Sequence, residues 1–183
     1  MIDPDLLNGT NLAVFDSFYN EKKCHNALNV VRGIERFIDS NFRGLAEIKV
    51  DFFEDAVLFI SAESLAMFFR EIFEFVFWRA LLKISFGFEQ GRLIMHLSSV
   101  PEIECSFDEA SRFIRLARDI GFDLVRDGDR VLFTVDCTQN MSYRIYVPLY
   151  KDAAARIAEI FEDVFTNQKS SARLLITRKS NKM

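Results

Sequence analysis

The sequence predicts an α/β (α+β) two-layer sandwich, a mixed sheet with helices on one face, preceded by a helical arm. Three observations lead there. Residues 63–80 repeat apolar side chains at helical spacing, and the run that follows alternates apolar and polar on both sides of Gln90-Gly91, as a hairpin does. Along the whole chain the order reads helix, two strands, helix, hairpin, helix, three strands, helix. Strands gathered into one layer and helices into another bury both sets of apolar faces.

The elements follow in order. Residues 1–11 form a lead-in punctuated by Pro4 and Asn8-Gly9. Residues 12–42 have helical periodicity in two pieces. Leu12, Phe15, Phe18 and Tyr19 stand before the polar step 20–23, and Leu28, Val31, Ile34, Phe37 and Ile38 after it. Asn41 and Gly44 stop this helix. Ile48, Val50 and Phe52 mark one strand, and residues 57–60 a second after the acidic turn Glu54-Asp55. Ser61 caps the central helix, with Ser64 as the alternative. Its buried stripe is Leu65, Phe68, Phe69, Ile72, Val76 and Ala80, and Arg70, Glu71 and Glu74 hold the opposite side.

The central helix carries more aromatics than one apolar stripe needs. Something besides the sheet must cover them, either the arm helix or a partner subunit. Ser106 and Glu109 form a capping box for the next helix, whose apolar face is Phe107, Ala110, Phe113, Ile114, Ala117 and Ile120. On its exposed face Asp108 is spaced to pair with Arg112, and Arg115 with Asp119. Gly121 ends it. Residues 122–126 and 130–137 flank an Asp127-Gly128 turn, residues 143–147 form a last strand, and a final helix opens at Asp152 with Ala153, Ile157, Ile160, Phe161 and Val164 on its apolar face.

Composition narrows the function classes. Of 183 residues, half are hydrophobic and 20 are Phe, so the chain can build a sizeable core. The net charge of −4 lacks the basic footprint of a nucleic-acid binder. Charges interrupt the central helix, so it is no membrane span. Cys24, Cys105 and Cys137 form no C-x-x-C, which suits a reducing cytoplasm. The two histidines stand far apart with no carboxylate or cysteine at ligand spacing, so no metal site is expected. The boundaries drawn are an arm at 1–45, a sandwich at 46–166 and a basic tail at 167–183.

The element order from residue 47 to 149 resembles the histidine-kinase-type (GHKL) ATP-binding domain shared by sensor histidine kinases and gyrase-type ATPases. There a helix bearing paired asparagines precedes a hairpin, a phosphate-covering helix and further strands. In this chain Arg79-Ala80 stands where Asn-Ala belongs in that helix, so Arg79 is the candidate left for a cofactor contact. The strand that ought to end in D-x-G-x-G reads Leu97-Ser98-Ser99-Val100-Pro101, and residues 106–118 contain no glycine. With the three boxes replaced, no nucleotide cofactor is expected.

A second resemblance lies in Cys24-His25-Asn26-Ala27-Leu28-Asn29, which is similar to the H-x-x-x-N phospho-acceptor box of histidine kinases and of the sporulation-initiation phosphotransferases. It implies that His25 accepts phosphate, that Asn29 orients it from the same helical face, and that the partners are a second copy of the chain and a response regulator. A plain surface histidine on the arm is the competing reading. The functional expectation is a cytoplasmic signal-transduction protein with a degenerate kinase-like domain. A divergent kinase ATP-binding domain and a non-catalytic scaffold are the alternatives.

Overall fold

The structure is a computed structural model that describes residues 22–76, 79–127, 130–137 and 153–166. Residues 1–21 of the expected arm, the strand at 143–147 and the basic tail lie outside that set. Eleven elements follow in order: β1 (Lys23–Asn26), α1 (Ala27–Asn41), β2 (Ala46–Asp51), β3 (Val57–Ile60), α2 (Ala62–Val76), β4 (Leu81–Glu89), β5 (Arg92–Val100), α3 (Phe107–Ile120), β6 (Asp123–Asp127), β7 (Arg130–Asp136) and α4 (Ala153–Thr166).

The main sheet runs β2-β4-β5-β7-β6. β2 lies parallel to β4 and the other neighbours are antiparallel, so the sheet is mixed, as expected. The β4–β5 turn falls at Gln90 (φ 52) and Gly91 (φ 75), and two successive left-handed residues are what a tight two-residue hairpin requires. Along β4, Leu82, Ile84 and Phe86 turn inward, and Leu93 and Met95 match them on β5. The register pairs Phe86 with Met95 and Ile84 with Leu97. These residues, with Phe133 and Val135 of β7, floor the core.

The helical layer contains the first correction. A helix was expected to run through residues 24–26, but this segment is strand β1, paired antiparallel with β3 in a separate two-stranded sheet. The helix starts only at Ala27. Asn26 is extended (φ −70, ψ 123), and its side chain accepts the Asn29 N–H, which caps α1 at that point. Of the two coverings open to its apolar stripe, α1 takes the domain itself. Val30, Val31, Ile34, Phe37 and Ile38 are buried in the common core.

The cover for the surplus aromatics comes from within the chain. Phe165 of α4 sits 4.7 Å from Phe37, 5.6 Å from Phe42 and 5.7 Å from Phe73, ring centre to ring centre. Phe161 reaches Phe37 at 5.5 Å and Phe69 at 5.8 Å. α2 is thus clasped between the sheet, which takes Phe68, and the α1–α4 pair, which takes Phe69 and Phe73. That clasp explains a second correction: Arg70, expected in solvent, is buried beside Glu71. A third concerns Phe107, expected in the core but almost fully exposed at the first turn of α3.

Candidate functional site

Two regions bear on function. The first is the β1–α1 junction, which holds the H-x-x-x-N residues. His25 lies on β1 across from Leu58 and is half-buried. Burial lowers its pKa below the ordinary histidine value, the Glu63 carboxylate opposes that shift, and Lys23 adds to it. Asn29 is buried in the first turn of α1, its backbone N–H donating to Asn26 Oδ1 at 3.1 Å. Asn26 in turn donates through Nδ2 to Asp55, and the Ala27 N–H donates to the Ala56 carbonyl at 2.9 Å. His25 and Asn29 therefore do not share a helical face, because the strand ends and the helix begins between them. Asn26 and Asp55, which tie the strand, the helix start and the β2–β3 loop together, were not singled out by sequence spacing.

The lowered His25 pKa has a thermodynamic consequence. The unfolded chain takes up a proton more readily than the folded one, so stability is complete above the unfolded value of 6.5 and is lost as pH falls through the folded value. The urea midpoint is expected to drop between about pH 7.5 and about pH 5.5, and to drop less in His25→Asn. Equal slopes in the two proteins would refute the assignment.

The second region is a cleft of about 550 Å³ between α2, α3 and the sheet. Ile72, Phe75 and Val76 of α2 form one wall and Phe113 of α3 the other. Leu82, Leu97 and Phe133 form the floor, and Ser99, Glu102, Ile103 and Cys105 stand at the β5–α3 end. The Phe75 and Phe113 rings meet edge to face at 5.4 Å. Arg79 is exposed, with its guanidinium 5.1 Å from the centre of the Phe75 ring. Arg79 thus stacks on the Phe75 ring and is not among the residues that line the cleft.

The β5–α3 loop folds back through the Ile103 N–H, which donates to Ser99 Oγ at 3.2 Å. Ser106 and Glu109 form the expected capping box, at 3.2 Å and 3.0 Å. α3 is tied to α2 by Arg112, which reaches Glu71 at 2.5 Å instead of the Asp108 expected from spacing. Cys105 is exposed, and its pKa is raised, first by partial desolvation against the protein surface and then by the Glu109 charge. Among the described residues, no group of three or more His, Cys, Asp or Glu could hold a metal ion, and no helix is long and apolar enough to cross a membrane.

No protein-family profile matches the chain, and no curated protein matches it in sequence. Among solved structures it is similar to the histidine kinase AdeS of Acinetobacter baumannii. The TM-score is 0.43 and the identity 9%, over 73% of this chain and 75% of that one.

Proposed function

We propose that this chain is a signal-transduction domain on a histidine-kinase-like sandwich that has given up nucleotide chemistry and acts by binding, as a homodimer. One observation carries the loss of nucleotide binding. Where a phosphate-covering segment would need free amides and positive charge, α3 opens with Asp108 and Glu109, and its capping box engages two of the end amides, those of Ser106 and Glu109. The kinase-like reading is supported by the order α2, β4–β5 hairpin, α3, β6–β7 hairpin, which repeats that of the resembled domain.

Thermal unfolding with Mg-ATP tests this. A ligand at 100 times its dissociation constant stabilises by about 2.7 kcal/mol. For a domain of this size that is a rise of roughly 5–10 °C in midpoint. No rise is expected at millimolar Mg-ATP, and a rise of that size would overturn the proposal. Solution mass tests the homodimer, and a monomeric mass would remove it.

A second reading, phosphotransfer through His25 to or from a response regulator, is favoured by one observation. His25 is half-buried on β1, and that burial lowers its pKa, which favours the neutral, nucleophilic imidazole near neutral pH. Incubation with a phosphorylated regulator should then label the wild type and not His25→Ala. Equal labelling of the two would end that reading.

A further inference from the structure

The cleft exists because α3 does not lie flat on the sheet. Its two fully buried residues, Ala117 and Ile120, are both in its C-terminal half. Phe113 is only half-buried and Phe107 is exposed, so the N-terminal half stands off and opens a wedge. Across that wedge Phe75, Leu97, Ile103 and Phe113 each keep part of their apolar surface uncovered. Its volume of about 550 Å³ falls within the range of pockets that hold small molecules. Charge then restricts the occupant. Glu102 is the only carboxylate and His96 the only basic side chain among the described lining residues, and the acidic first turn of α3 follows Glu102 a few residues on. Ser98 and Ser99 both line the same end, and Ser99 is the one opposite Leu82, on the floor side of β5.

We propose that this wedge is a binding site for a flat, apolar small molecule, uncharged or singly cationic, whose hydrogen-bonding end meets Ser99 and Glu102. The aromatic walls cover its faces, and Glu102 accepts from its donor group while disfavouring an anion. The inference stands apart from the signalling reading, since it concerns only what the cleft geometry accepts.

The probe is 1-aminoanthracene, a neutral flat fluorophore with one amine donor, titrated into the full chain. Saturable enhancement at one site per chain is expected, with at least tenfold weaker binding of the anionic anthracene-2-sulfonate. Ile103→Trp, which fills the wedge from the loop, should weaken the amine probe at least tenfold, with circular dichroism confirming the fold. Glu102→Lys should reverse the preference between the two probes, which a merely space-filling role would not do. Bound probe should also slow alkylation of Cys105 by N-ethylmaleimide, with Cys24 as the internal control. The proposal is overturned by non-saturable enhancement, or by binding that neither Ile103→Trp nor Cys105 alkylation registers. Displacement of the probe by Mg-ATP would overturn it too, and that result alone would also sink the nucleotide-free reading above.

Discussion

Gly33→Ala is expected to destabilise the domain by roughly 2 kcal/mol, although alanine is the better helix former. A Cβ at this position would lie 2.4 Å from Ile157 Cβ, 2.6 Å from Ile157 Cγ2 and 2.7 Å from the Ala154 carbonyl oxygen. None of those atoms is the free end of a flexible side chain, so α1 and α4 must move apart. Overpacking of this kind costs about 3 kcal/mol or more, and the propensity gain of about 1 kcal/mol offsets only part of it. Gly87→Ala is the control. A Cβ there meets nothing within 4 Å, so its effect should stay within about 0.5 kcal/mol. Urea unfolding of both variants checks the pair, and equal midpoints would contradict the close helix contact.

Phe165→Ala should cost more, about 3–5 kcal/mol. The ring is fully buried and touches aromatic rings from α1, the α1–β2 connection and α2, so truncation leaves a void that no single neighbour can fill. Domains of this class hold only about 5–15 kcal/mol in all, so this variant should unfold at markedly lower urea. Phe53→Ala, at a position 83% exposed, should leave the midpoint near wild type. A Phe165→Ala loss below about 1 kcal/mol would mean the cluster is looser than its ring distances imply.

What the sequence disclosed and what it hid follow from range. The Gln90-Gly91 hairpin, the Ser106–Glu109 box and the Gly121 stop (φ 116) are local chemistry, and each appears where its residues put it. β1 was hidden because Lys23-Cys24-His25-Asn26 shows no alternation and owes its extended form to β3, some thirty residues away. Arg70 misled because a single stripe assumes one buried face, whereas α2 is enclosed on two. Phe107 misled the other way, since the helical period continues past the point where α3 leaves the sheet. The candidate site was the least legible part. His25 and Asn29 have the spacing of a helical pair, yet Asn26 breaks the helix between them. The cleft arises from a gap in packing, which no motif announces.

The contact between α1 and α4 also sets a timetable. One partner leaves the ribosome early and the other more than a hundred residues later, which at roughly 5–20 residues per second is a wait of several seconds. Through that interval Phe37, Phe42, Phe69 and Phe73 have no lid. A nascent chain of this protein therefore keeps an aromatic face uncovered until its closing helix is made.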